Sequence, residues 1–237
     1  MTVWAIVVAA GSGTRFGGPK QFADLEGRRV VDWALVASRS VADGVVLVVP
    51  PGSVDDEAPA ADVVVAGGAT RSESVRAGLG AVPAGADVVV VHDAARPFAA
   101  PALFAAVVAC VREGADAAIP GVAIADTVKR VVDGRVVGTL NRDGLVAVQT
   151  PQAFAAGVLR RAHAAGGEAT DDAALVEAAG GRVMVVPGDP ANTKVTLRAD
   201  IALRPGGAPS PPSSPKRGPV LPAREGRSGP GPADAVS

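Results

Sequence analysis

Apolar residues along the chain gather into short unbroken runs at residues 3–10, 45–49, 63–66, 88–92, 117–120 and 183–186. Runs that are continuous rather than alternating predict strands buried on both faces, the pattern of a parallel sheet. Between several of them the apolar positions recur at helical spacing, over 30–39, 72–80, 102–113, 153–164 and 172–179. This strand–helix alternation predicts an α/β fold with a Rossmann-like, doubly wound, mostly parallel sheet and helices on both faces. Ligands of such sheets sit beyond the carboxyl ends of the strands. The loops at 11–20, 67–71 and 92–97 therefore fall on one edge.

Residues 126–142 break the alternation. Two strand-like stretches, 126–132 and 135–140, flank Asp133-Gly134, a strong hairpin signal. An isolated hairpin is marginally stable, so this one is expected to pack on something else, most simply a second subunit. Beyond residue 203 the pattern stops. Residues 204–237 hold nine of the 20 prolines and six of the 29 glycines, with hardly any large apolar side chain. Such a segment cannot bury enough surface to offset its ordering entropy. The expected division is one folded domain over 1–203 and a disordered Pro/Gly-rich tail over 204–237.

The first apolar run empties into Gly11, Gly13, Gly17 and Gly18, with Arg15 and Lys20 alongside. Glycine lets a backbone turn tightly and approach a ligand. Such a loop can aim N–H groups at an anion, and two cations on it suit a triphosphate. Generic phosphate motifs fit poorly. Phe16 stands where a dinucleotide-binding fingerprint wants its third glycine. In a Walker frame, Pro19 separates Gly18 from Lys20, and Gln21 replaces the Mg²⁺-binding hydroxyl. The plainer alternative is a tight turn with solvated charges.

Composition narrows the classes. The 237 residues suffice for one large domain; hydrophobic content is 48%, charged content 20% and net charge -1. No global basic field argues for nucleic acid, and no apolar run approaches a membrane span. The one cysteine, Cys110, excludes an internal disulfide framework and suits a reducing cytoplasm, where a buried thiol is expected. Neither histidine pairs with a nucleophile: His92 reads as a strand-end residue and His163 as helix surface. No metal cage is evident; Asp93 is the best lone carboxylate for Mg²⁺ carried by a nucleotide.

Eight motifs occur in order: A-A-G-S-G-T-R-F-G-G-P-K-Q, G-G-A-T-R-S-E-S-V, V-H-D-A-A-R-P-F, D-T-V-K-R, N-R-D-G-L, Q-T-P-Q-A-F, A-T-D-D-A and N-T-K-V-T. Together, across residues 3 to 203, they resemble the 2-C-methyl-D-erythritol 4-phosphate cytidylyltransferases of the non-mevalonate isoprenoid pathway. The resemblance implies a nucleotidyltransferase-type fold and transfer of a cytidylyl group from CTP to methylerythritol phosphate with Mg²⁺. It implies that Arg15 and Lys20 hold the triphosphate and, with Arg142 and Lys194, are catalytic. Ala9, Ala10, Gly11, Gly68 and Ser74 would contact CTP, with Thr150 near the centre. Asp93, Arg96, Thr127 and Thr170 would line the alcohol-phosphate pocket. The hairpin would be an arm interlocking a homodimer, so that Thr127 and Arg142 serve the neighbouring site. Ala69 departs from the family's acidic residue after Gly-Gly, which implies weaker CTP affinity. A ribitol 5-phosphate cytidylyltransferase and a catalytically silent nucleotide-binding module are the competing readings.

Overall fold

The computed structural model describes residues 1–54, 58 and 60–202. In chain order its strands are β1 (Val3–Val8), β2 (Asp24–Leu25), β3 (Arg28–Arg29), β4 (Gly44–Val49), β5 (Val63–Ala66), β6 (Val88–Asp93), β7 (Ala117–Ala123), β8 (Lys129–Val132), β9 (Arg135–Thr139), β10 (Val146–Val148), β11 (Gln152–Ala155) and β12 (Val183–Pro187). The α-helices are α1 (Val30–Ser38), α2 (Arg71–Ala81), α3 (Pro101–Arg112), α4 (Ala156–Ala164), α5 (Asp172–Ala178) and α6 (Arg198–Ala202). The expected tail, 204–237, lies outside the described residues. Among the described residues no helix is long and apolar enough to cross a membrane.

The apolar runs become the sheet. β5, β4, β1, β6, β11 and β7 lie side by side in that order, and β10 and β12 also pair with β7. β5, β4, β1 and β6 are mutually parallel, as are β7 and β12. β11 runs antiparallel between β6 and β7. The strands are buried on both faces because side chains alternate between two helical layers. Val3, Ala5 and Val7 pack with residues of α1 and α3, including Leu35 and Phe104. Ile6 packs with residues of α2, α4 and α5, including Val75, Leu159 and Val176. Burying one such side chain contributes roughly 1.5–3 kcal/mol, so both layers hold the sheet in place.

Two sequence expectations change here. The stretch 153–164 is not one helix, because its first residues pair with both β6 and β7 as β11 before α4 begins. His163 is not on the helix surface: it is buried, with Nε2 3.0 Å from Asp172 Oδ1. Cys110 is half-buried against the core layer of α3.

The hairpin β8–β9 forms around Asp133 and Gly134, whose φ values of 47° and 75° are those of a type I′ turn. Every residue of β8 is exposed, and so is every residue of β9 except Gly138. Val131, Val132, Val136 and Val137 are each more than half exposed.

Candidate active site

Register brings the loops together. Val8 pairs with Asp93 where β1 and β6 both end, so the loops that follow start side by side. The loop after β1 lies along a cleft of about 380 Å³ through Ala9, Ala10, Gly11, Ser12, Lys20 and Gln21. Gly67 needs its missing side chain: a Cβ there would stand 2.4 Å from Ala10 Cβ and 2.8 Å from Ser74 Oγ. Gly68, Ala69, Thr70, Arg71 and Ser74 form the opposite wall. A second cleft, of about 220 Å³, is lined by Arg96, Val148, Gln149, Thr150, Gln152, Thr170 and Asp171. Arg71, Asp93 and Lys194 line both.

The glycine loop divides its work. Gly13 sits at φ 66° and accepts at its carbonyl from the N–H groups of Phe16, Gly17 and Gly18. Those donors are committed to the turn, as the Ala9 N–H is to the Val48 carbonyl, and the stretch that borders the cleft is the shorter Ala9–Ser12 side. Arg198 lies 5.1 Å from the Phe16 ring centroid, a cation–π contact seating the far side of the loop. Lys20 Nζ donates to the Val195 carbonyl at 2.8 Å, tying the loop to the segment that carries Lys194. Burial lowers the Lys20 pKa, and Lys194 and Arg15 push it the same way, against Asp93 and Asp200. Arg15 itself is exposed.

The second wall is a capped helix start. Thr70 Oγ1 accepts from Glu73 N–H, and the Glu73 carboxylate accepts from the Ala69 and Thr70 N–H groups, a capping box. The buried Ser74 hydroxyl donates to the Thr70 carbonyl and accepts from Gly68 N–H. Ala69 borders the cleft with only a methyl group.

Asp93 is where the charges meet. Lys194 Nζ donates to its Oδ2 at 2.7 Å, and Arg71 Nε to its Oδ1 at 3.2 Å. Burial would raise the Asp93 pKa, but Arg71 and Lys194 outweigh it and hold the carboxyl well below the usual range. Among the described residues there is no cluster of three or more His, Cys, Asp or Glu able to cage a metal. Asp93 is the one carboxylate among the described residues lining the first cleft.

His92 and Thr150 brace this centre. Thr150 Oγ1 accepts from Asp93 N–H at 3.0 Å, so its hydroxyl proton is directed to His92 Nδ1 at 3.2 Å. His92 Nε2–H then donates to the Arg96 carbonyl. Both partners fit the neutral ring, and full burial lowers the His92 pKa to about 4. An unfolded histidine binds its proton near pH 6.5, so between about pH 6.5 and 4 the unfolded chain holds more protons and stability falls on acidification. Going from pH 7 to pH 5 is expected to cost the wild type about 2 kcal/mol more unfolding free energy than His92→Gln. Urea titrations at both pH values check this; equal losses would contradict it.

Most of the anticipated site is thus assembled. Ala9, Ala10, Gly11, Gly68, Ser74 and Lys20 line the first cleft, Arg96 and Thr170 the second, and Asp93 and Lys194 both. Thr150, grouped with the CTP contacts, borders the second cleft instead. Thr127 and Arg142 border neither cleft; they are exposed at the base of the hairpin, where Arg142 Nη1 donates to the Ala125 carbonyl. The three loops expected on one edge converge with the Lys194 segment within one chain, and the arm does not.

Sequence reasoning missed Gln149 and Asn192. Gln149 Nε2 donates to the Asp189 and Asn192 carbonyls, and Asn192 Nδ2 to the Thr150 carbonyl. Arg96 Nη1 donates to the same Asn192 carbonyl at 2.7 Å. These side chains hold the second cleft's floor to the Lys194 loop. Each opens one of the eight motifs, Q-T-P-Q-A-F and N-T-K-V-T, and that placement is their sequence signal.

Comparison with known proteins gives a consistent answer. A sequence model of the family IspD, 2-C-methyl-D-erythritol 4-phosphate cytidylyltransferase, matches residues 3–205. The chain is 51% identical over 212 residues to the 2-C-methyl-D-erythritol 4-phosphate cytidylyltransferase of Frankia casuarinae, covering 85% of this chain and 79% of that one. It is 42% identical over 229 residues to the bifunctional enzyme IspD/IspF of Nitratidesulfovibrio vulgaris, covering 86% of this chain but only 57% of that protein's length. The crystal structure of the 2-C-methyl-D-erythritol 4-phosphate cytidylyltransferase from Thermus thermophilus matches with a TM-score of 0.74 at 34% identity, covering 84% of this chain and 95% of that one.

Proposed function

The chain belongs to the 2-C-methyl-D-erythritol 4-phosphate cytidylyltransferase family, and from that premise we propose that it transfers the cytidylyl group of CTP to 2-C-methyl-D-erythritol 4-phosphate in non-mevalonate isoprenoid synthesis. A phosphate oxygen of the alcohol phosphate attacks the α-phosphorus of CTP. The bond to the bridging oxygen of the β-phosphate breaks, and its electrons leave with pyrophosphate. The observation that carries this reading is the junction of the two clefts at Arg71, Asp93 and Lys194, with Lys20 lining the first.

CTP occupies the first cleft, its phosphates along Ala9–Ser12 with Lys20 and Arg15, and the alcohol phosphate enters the second beside Arg96 and Thr170. The nucleophile is already anionic at neutral pH, so no strong base is required, consistent with a His92 held neutral. The chemical demand is to bring two anions together and stabilise the charge that shifts to the leaving group. Lys20 in the first cleft and Lys194 in both supply that charge. Mg²⁺ bound to the CTP phosphates would neutralise further charge. The donor set suits a phosphate- and water-held ion, with Asp93 the carboxylate nearest to hand.

The arm completes the picture. Its exposed valines and the exposed Thr127 and Arg142 fit a homodimer in which each hairpin reaches a neighbouring site in the cytoplasm. Full-length protein is expected to scatter light as a dimer, and a variant lacking residues 127–141 as a monomer; a monomeric full-length chain would remove the shared site.

The functional test is pyrophosphate release from CTP and Mg²⁺ with methylerythritol 4-phosphate or ribitol 5-phosphate. Turnover with the first and little with the second is expected. The reverse preference would move the enzyme to ribitol phosphate activation, and silence with both would favour a nucleotide-binding module.

A further inference from the structure

The motifs G-G-A-T-R-S-E-S-V and A-T-D-D-A each carry a charged residue to which the reaction as described gives no role, Arg71 and Asp172. In the structure they are one unit. Arg71 Nη1 donates to Asp172 Oδ2 at 2.7 Å while its Nε donates to Asp93. Asp172 is almost fully buried, and its other oxygen meets His163 Nε2. The result is a row of alternating charge, Asp172–Arg71–Asp93–Lys194, running from helix α5 to the mouth where both clefts open.

This row is poorly arranged for stability alone. Arg71 Nη2 is buried without a hydrogen-bond partner among the described residues, and an unmade buried donor is costly. Buried ion pairs are also weak contributors to stability compared with well-packed apolar side chains. What the row does achieve is geometric. A forked guanidinium contacts two carboxylates from fixed directions, and it sets the carboxylate that receives Lys194. We propose that Arg71, braced by Asp172, is a positioning residue that fixes Asp93 and through it the Lys194 ammonium for the incoming alcohol phosphate. This rests on the cytidylyltransferase reading of the same site.

Arg71 and Lys194 line both clefts, but the effect passes through the ammonium that meets the alcohol phosphate, so it is expected to fall mainly on that substrate. Arg71→Lys keeps the charge but reaches only one carboxylate at a time. It is expected to raise KM for methylerythritol phosphate about tenfold while KM for CTP stays within about threefold. Asp172→Asn, which loosens Arg71 without touching the clefts, is expected to move the same constant in the same direction by less. In a Lys194→Ala background the Arg71→Lys change is expected to add less than about twofold, since the two act as a unit. Circular dichroism and thermal midpoints establish that each variant is folded. Unchanged KM values in a folded Arg71→Lys, or fully additive effects with Lys194→Ala, would overturn the positioning role while wild-type turnover stood. Absence of wild-type turnover would instead overturn the function, and this inference with it.

Discussion

Lys20→Ala is expected to lower kcat by about 10²–10³ with the fold intact, the loss typical of removing one preorganised transition-state donor. Lys20 is half-buried at the end of the glycine loop, where Lys194 and Arg15 press on it and burial reduces its hydration. Its hydrogen-bond partner among the described residues is the Val195 carbonyl, so its removal costs a single hydrogen bond, about 1 kcal/mol. The fold should tolerate that, and the chemistry should not, because the charge developing on pyrophosphate would lose one of the cations lining the first cleft. Arg15 is exposed and borders neither cleft, so Arg15→Ala is expected to lose less. Steady-state pyrophosphate release alongside thermal melting separates the two effects. Near-normal kinetics in both variants would show that the first cleft does not hold the reacting triphosphate.

Lys194→Ala has the second largest expected consequence. Its ammonium lies 2.7 Å from Asp93 and lines both clefts, so it is placed to touch the alcohol phosphate and the reacting centre together. A fall in kcat/KM for methylerythritol phosphate of about 10² is expected. Lys194 is one of the two charges that outweigh burial at Asp93. Its loss should therefore also raise the Asp93 pKa, and activity should decline at a higher pH than in the wild type. An unchanged kcat/KM would place the alcohol phosphate away from this junction.

What was readable in the sequence follows from the range of the forces involved. The central strands were legible because a strand buried on both faces must be apolar at every position, as in Val45 to Val49. The hairpin was legible because Asp133 and Gly134 both adopt positive φ, which few residue pairs tolerate. β11 was not legible. Gln152–Ala155 is short, apolar after Gln152 and continuous with α4, and only its pairing with β6 and β7, both distant in sequence, makes it a strand. His163 was misread for a related reason: among alanines it looks solvated, but Asp172 reaches it from the next helix.

The site shows the same division. The glycines, Lys20 and Asp93 stood out because they lie at or beyond the end of an apolar run, whereas Lys194 lies in a polar loop and its role came from the family resemblance. That Asp93 is shared between Arg71 and Lys194, from positions 22 and 101 residues away, is a property of the assembled edge alone. So is the floor made by Gln149 and Asn192. Ser74 was expected to contact CTP. Thr70 is the cap, and Ser74 pins the Gly68 turn while still lining the cleft.

The most direct test of the central claim is to identify which bond of CTP breaks and what takes its place. Phosphorus NMR of the wild-type protein incubated with CTP, Mg²⁺ and methylerythritol 4-phosphate reads both at once. The mechanism predicts pyrophosphate and a new unsymmetrical diphosphate in equal amounts as CTP disappears. Orthophosphate with CDP, or pyrophosphate with free CMP, would contradict it, because either would mean that the second cleft does not deliver the alcohol phosphate to the α-phosphorus.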